Sequence, residues 1–342
     1  MDDVLEIAKA FQKEYGGYGL TEDQNLDCFK ILAPAWGANP GIWIEGENGK
    51  LAYGSVQPEM KEALQAYAQW YKEGIIDPEF TTKDLEKMLQ GEISSSVGVS
   101  PYYQYWGYDP GPNVVQNLGA DAIFEPYEIP SANGGEVKAS VTFANYGYIV
   151  VSKGCKNPEA VLKLLNFYAH VMDEGDEEDA DFINELFGNA YTNIPYALRV
   201  INPNTDYNQF VKVSGALEKG LDEDPAALGK DGVKYSNSVD FIKEGASTGV
   251  GDYLQQGGPK AAYRISKEII DNEQYIKDAM WGPATETLLS AGSTLDDILT
   301  EGFTKIIVGE ESIDYFDTLV DNWAKAGGTK ATEEINETYG NN

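Results

Sequence analysis

Apolar positions recur at helical spacing in several separate segments of the chain. Near the start, Val4, Ile7, Ala8 and Phe11 fall on one stripe with no capping residue ahead of them. From Pro58 to Glu73 the stripe is Met60, Leu64, Tyr67 and Tyr71; a proline opens it and Gly74 stops it, which predicts a helix. Asn157-Pro158 starts another, with Val161, Leu164, Leu165 and Tyr168 directed toward a core. Thr294 with Asp297 resembles a capping box and predicts a helix through Leu295, Ile298, Leu299 and Ile306. Ser312 opens a further helix with Ile313, Phe316, Leu319, Val320 and Trp323 inward, ended by Gly327-Gly328. Runs rich in β-branched and small residues predict strands at Ile93–Val99 and Val141–Ser152. The stretches Trp106–Asn117 and Asn202–Tyr207, full of Gly, Pro, Asn and Tyr, read as irregular. No internal repeat is present. Strands mixed with many helices indicate an α/β or α+β architecture.

Composition narrows the possible partners. The 342 residues carry a formal charge of −31, and a surface that acidic repels nucleic acid and anionic headgroups. The longest apolar runs, such as Gly147–Val151, are far shorter than the roughly 20 residues that span a bilayer. Met1 is followed by Asp2-Asp3-Val4-Leu5-Glu6, which has neither the basic nor the apolar region of a signal peptide, so the sequence reads as a piece whose natural start lies upstream. Cys28 and Cys155 give no disulfide framework and are expected as two buried free thiols. Acidic residues crowd Asp173–Asp181; the spacing lacks the glycine and terminal glutamate of a calcium loop, and a solvated loop is the expectation.

Catalytic constellations are missing from the sequence. The one histidine, His170, has no Gly-x-Ser-x-Gly partner and no further ligands for zinc, and reads as a residue on a helix surface or core edge. No phosphate-binding glycine motif is present. Paired carboxylates, as a glycosidase would need, are open among 56 Asp and Glu residues. The positive signal is aromatic. Pro101-Tyr102-Tyr103-Gln104-Tyr105-Trp106-Gly107-Tyr108 is the densest cluster, and Trp36, Trp43, Tyr146 and Trp281 occur in similar Gly, Pro and Asn-rich settings. Flat rings stack on the C–H faces of sugars while neighbouring polar side chains take the hydroxyls. Packing of loops onto helices is the alternative use of each ring.

Three stretches carry a family resemblance. Leu64–Glu79 (LQAYAQWYKEGIIDPE), Tyr148–Tyr168 (YIVVSKGCKNPEAVLKLLNFY) and Gly302–Tyr339 (GFTKIIVGEESIDYFDTLVDNWAKAGGTKATEEINETY) resemble extracellular solute-binding proteins of family 1, in the branch of Gram-positive lipoproteins. The resemblance implies an α/β, type II periplasmic-binding fold, with two lobes, a hinge, and a ligand held between them. On that frame residues 1–142 form lobe 2, residues 143–255 the hinge return and second part of lobe 1, and residues 256–342 C-terminal helices packing mainly on lobe 2. Lobe 1 is then incomplete on its N-terminal side. Ser100-Pro101-Tyr102 resembles the Gly-Pro-Trp turn whose aromatic stacks on sugar. This puts Tyr102 first among ligand contacts, followed by Tyr103 and Trp106. Trp281-Gly282-Pro283 resembles a turn facing the cleft, and Asn145 and Tyr146 fall on the hinge crossing; Trp36 and Trp43 rest on local chemistry alone. Glu14–Leu20 keeps only the Tyr-Gly-Leu exit of a turn that is acidic in relatives, so neither metal nor cofactor is expected.

The function this implies is a non-catalytic, monomeric capture protein. It takes an oligosaccharide and hands it to the permease subunits of an ABC importer, at the cell surface, held to the membrane only by an upstream lipid anchor. A glycan-degrading enzyme, a peptide-binding importer component and an adhesive surface protein are the alternatives.

Overall fold

The amphipathic stripes do become helices, in most cases at the residues that periodicity selects. The computed structural model describes residues 1–46, 49–143, 149–173 and 204–340. Helix α1 (Asp2–Tyr15) leads into strand β1 (Tyr18–Leu20) and helix α2 (Asp27–Leu32). A hairpin follows, β2 (Trp43–Glu45) antiparallel to β3 (Leu51–Tyr53). Helix α3 (Met60–Lys72) buries Met60, Ala63, Leu64, Tyr67 and Trp70. It stops where Gly74 takes a φ of 73° and donates its amide to the Tyr71 carbonyl. Helix α4 (Leu85–Ile93) begins on Asp84, whose side chain caps the Lys87 amide, and strand β4 (Val97–Val99) follows. Ile93, expected in a strand, therefore closes a helix, and the strand is shortened to three residues by the turn at Ser94–Ser96.

The stretch expected to be irregular at Trp106–Asn117 contains helix α5 (Gly111–Leu118), whose Val114 and Val115 enter a core. Of the long predicted strand, Val141 lies in β5 (Ala139–Val141), residues 142–143 and 149–152 are irregular, and the residues between them lie outside the described residues. Helix α6 (Ala160–Asp173) forms as its stripe predicts, yet Leu164 of that stripe is exposed, and among the described residues the stripe does not join a core. The acidic run beyond Asp173 lies outside the described residues; His170 sits on α6 with its side chain exposed. Helices α7 (Thr205–Lys219), α8 (Gly232–Glu244) and α9 (Ala262–Asp271) precede strand β6 (Tyr275–Lys277), which runs parallel to β5.

Helix α10 (Glu286–Val308) begins eight residues before the expected Thr294. Its first turn is satisfied from afar: the amide and hydroxyl of Thr287 donate to Glu334 at 2.9 and 2.7 Å. Glu334 belongs to the last helix, α12 (Thr329–Tyr339), which follows α11 (Tyr315–Trp323). One core joins α1–α3, β1 and β2 to α10–α12, with Phe29, Tyr67, Phe80, Phe303, Phe316 and Trp323 among its members. A second core joins Trp106, Val114 and Val115 to Phe241, Val250 and Leu254, so the helical region after residue 204 packs onto the segment around α5. Both cysteines are free thiols; Cys28 is buried as expected, but Cys155 is exposed, because its turn does not pack on a core.

Candidate functional site

Strands β1 and β4 are parallel, with Tyr18 opposite Val97 and Leu20 opposite Val99, and Ile76 bridges Leu20 in the same sense. Their carboxyl ends therefore emerge at one edge, where open parallel sheets bind ligands. Thr21-Glu22-Asp23 leaves β1 there, Ser100-Pro101-Tyr102 leaves β4, and Asp77 follows Ile76. An open depression lined by Lys9, Gln12, Lys13, Gly17, Glu73 and Ile75 lies at the opposite, amino end, and no predicted contact residue borders it.

Buried carboxyls build this edge. Glu22 Oε1 accepts the amides of Asp23 and Cys28 at 3.0 and 3.1 Å, and Oε2 accepts the Phe29 amide at 2.8 Å. Burial pushes Glu22 up to about 8, outweighing those three donors. Asp23 accepts the Asp27 amide at 2.9 Å and the Asn25 side-chain amide at 3.2 Å, and burial raises it too. These contacts fix the loop between β1 and α2. Asp77 is ion-paired with Lys83. Glu92, fully enclosed at the end of α4, accepts the Ser100 hydroxyl at 2.6 Å and the Trp106 indole N–H at 2.5 Å. Burial pushes Glu92 up to about 7, although both hydrogen bonds pull the other way. One carboxyl thus ties both ends of the Ser100–Trp106 loop to α4.

That loop presents two tyrosines. Tyr102 is half-buried against Cys28, Met88 and Leu89, and its ring lies 5.7 Å from Tyr103, edge to face. Tyr103 is 59% exposed. Burial raises the Tyr102 phenol to about 12, with Asp109 and Glu92 adding to it, and burial followed by Asp27 raises Tyr103.

The remaining candidates have other settings. Trp106 is only 7% exposed and packs against Phe124 at 4.8 Å, so it anchors the loop from behind. Trp43, at 3% exposure, is enclosed beside Tyr53, and its amide donates to Asp278. Both rings are enclosed in apolar cores in this structure. Trp36 is half-buried, 5.8 Å from Trp70. Trp281 is 51% exposed and leans on Phe143 at 5.1 Å, after the β6 end that Asp278 ties to Trp43. Asn145 and Tyr146 lie outside the described residues. The structure thus brings together Tyr102, Tyr103 and the supporting Trp106, whereas Trp36, Trp43 and Trp281 are packed about α3, β2 and β6. Glu22, Asp23 and Glu92 escaped the sequence reading. The first two form an acidic pair one residue beyond Tyr18-Gly19-Leu20, a signal that could have found them; Glu92 sits in a helix–turn of small residues and gave none. Among the described residues, no three His, Cys, Asp or Glu side chains are grouped to hold a metal ion, and no helix there is long and apolar enough to cross a membrane.

The chain aligns over 99% of its length with an alginate-binding protein, AlgQ2, solved without calcium ion, at a TM-score of 0.59 and 15% identity, covering 67% of that chain. It also aligns over 99% of its length with an HMO-binding, ABC-transporter-associated solute-binding protein from Bifidobacterium longum infantis, at a TM-score of 0.54 and 15% identity, covering 69% of that chain. The fold is that of the periplasmic solute-binding proteins. In sequence, the chain is 25% identical over 379 aligned residues to the lipoprotein LipO of Bacillus subtilis, covering 99% of this chain and 64% of LipO. It thus spans a little under two thirds of that relative's length. No family model matches the chain. The edge where β1 and β4 end carries flat rings beside polar groups.

Proposed function

We propose that the chain is the capture component of an ABC importer, which holds an oligosaccharide at the carboxyl edge of β1 and β4 and delivers it to permease subunits. One observation carries this reading: Tyr102 and Tyr103 stand edge to face on a loop clamped by Glu92, at the sheet edge where such folds take ligands. Sugar rings offer C–H faces to these phenols, and their hydroxyls meet the carboxylates and amides alongside. The alginate-binding and HMO-binding proteins that share the fold support the ligand class. Closure of two lobes on the guest needs no bond-making step; the ligand has only to prefer the closed state.

Hydrolysis by the two buried glutamates of this edge is disfavoured by the same geometry. Glu22 and Glu92 are fully buried and already engaged by protein donors, so neither is free to act on a glycosidic oxygen. The name of LipO supports an extracellular lipoprotein, and the reading extends to family 1 membership, an upstream lipid anchor and a further part of lobe 1 before residue 1. Residues 1–142 and 256–342 would form one lobe, supported by their common core. The packing of Phe241, Val250 and Leu254 against α5 favours counting that part of 143–255 with the same lobe. Trp281 is kept as a secondary contact on the strength of its exposed ring.

Calorimetric titration with a panel of oligosaccharides, followed by reducing-end analysis, tests the function. The expected result is saturable binding of one glycan class with no new reducing ends. Turnover, or binding of peptides and no glycan, would overturn it.

A further inference from the structure

The loop bearing Tyr102 and Tyr103 is held at a second point, beyond the Glu92 clamp. Two turns carry its backbone onward: the Trp106 amide donates to the Tyr103 carbonyl at 3.1 Å, and the Tyr108 amide to that of Tyr105 at 2.9 Å. Tyr108, at the end of this run, donates its hydroxyl to Asp252. Lys234 of α8 donates to the Tyr108 hydroxyl at 2.6 Å and to Asp252 at 3.0 Å, and its ammonium lies 5.0 Å from the centre of the Tyr108 ring. The other oxygen of Asp252 accepts the Asn237 side-chain amide at 2.7 Å. Asp252 is buried. Its neighbour Gly251 approaches the ring so closely that a Cβ there would stand 2.5 Å from Tyr108 Cδ1.

Apolar packing at this junction is already supplied by Trp106, Phe241, Val250 and Leu254. A buried ion pair adds little stability over apolar side chains of similar volume, but a fully satisfied polar network fixes where its members sit. Resting on the carbohydrate reading above, we propose that Tyr108 is a positioning residue for the ligand loop, locked by Lys234 and Asp252 so that Tyr102 and Tyr103 are set before a guest arrives. Glu92 ties the loop to α4, and the Tyr108 lock ties it to the helical region after residue 204. A loop preset in this way loses less freedom on binding, which raises affinity.

Tyr108→Phe removes the hydroxyl and leaves the Lys234–Asp252 pair, whereas Gly251→Ala forces ring and backbone apart by a separate route. Without ligand, hydrogen exchange read by mass spectrometry should show the amides of residues 102–108 exchanging about tenfold faster in both variants, while α8 keeps wild-type protection. Calorimetric titration with malto-, cello-, manno- and xylo-oligosaccharides, where all proteins are fully folded, should show affinity reduced about fivefold or more in both variants. A residue that merely stabilised the fold would move the urea midpoint and leave loop exchange and affinity unchanged. Wild-type exchange of the loop in both variants, or wild-type affinity in both, overturns this inference and leaves the carbohydrate reading standing. Binding of peptides and of no glycan by wild type overturns the carbohydrate reading, whereas the exchange measurement, which needs no ligand, still decides whether the lock holds the loop.

Discussion

Glu92 should make the stability of this protein depend on pH in a way that one substitution removes. Its carboxyl moves from an ordinary 4.5 to about 7 in the folded chain, chiefly through burial. An acid raised on folding binds its proton more tightly in the native state, so its contribution is full below about 4.5 and is lost as pH rises through about 7. At about 1.4 kcal/mol per tenfold, that contribution is roughly 3 kcal/mol. Glu92→Gln keeps an oxygen for the Trp106 indole and supplies an amide that donates to Ser100, and it does not titrate. Urea midpoints of wild type and Glu92→Gln, taken from pH 4.5 to 8, should therefore diverge in favour of Gln by roughly 3 kcal/mol. Glu22 shifts in the same direction in both proteins and cancels in the difference. Glu92→Leu should be less stable than Gln by about 1–3 kcal/mol for each group left unsatisfied at every pH. A difference between wild type and Gln that stays constant over this range would refute the reasoning, as would a Leu variant equal to Gln.

Three further outcomes follow from the packing and caps. Gly302 of α10 faces Leu319 of α11 so closely that a Cβ would lie 2.4 Å from both Leu319 methyls; Gly302→Ala should lower the urea midpoint by an amount worth about 1–3 kcal/mol, and an unchanged midpoint would contradict the contact. Glu334 is held down to about 2 by its hydrogen bonds to Thr287, so its contribution is present above about 4.5 and fades as pH falls toward 2. Thermal unfolding of Glu334→Ala should accordingly lose that part of the acid dependence, and an identical acid limb would contradict the cap. In thiol titration the native protein should react once, at Cys155, and twice in urea, because burial both shields Cys28 and raises its thiol; two fast thiols in the native state would contradict it.

How much of this was legible in the sequence depends on where each partner lies. The stripes of α3 and α11 were readable because Met60, Leu64 and Tyr67, or Phe316, Leu319 and Trp323, repeat at helical spacing and bury as a set. Helix α10 was placed too late because the group satisfying its first turn is Glu334, 47 residues away, while the local capping signal at Thr294 lies inside the helix. Tyr102 was named through the resemblance of its turn, but the clamp that positions it was not legible, since nothing near Glu92 announces that Ser100 and Trp106 will meet it. Trp43 was offered as a ligand contact on local chemistry, and Trp106 through the resemblance of the neighbouring Ser100-Pro101-Tyr102 turn. Their burial comes from Tyr53, Asp278 and Phe124, which only the folded chain brings beside them.

Two tyrosines at the carboxyl edge of β1 and β4 are the centre of the proposed site, and paired titrations test their role most directly. Wild type, Tyr102→Ala and Tyr103→Ala would be titrated by calorimetry with the tightest-binding oligosaccharide, at matched stability. Loss of ring stacking worth about 1–2 kcal/mol predicts affinity reduced roughly five- to thirtyfold in each variant. Affinities unchanged from wild type in both would contradict the site.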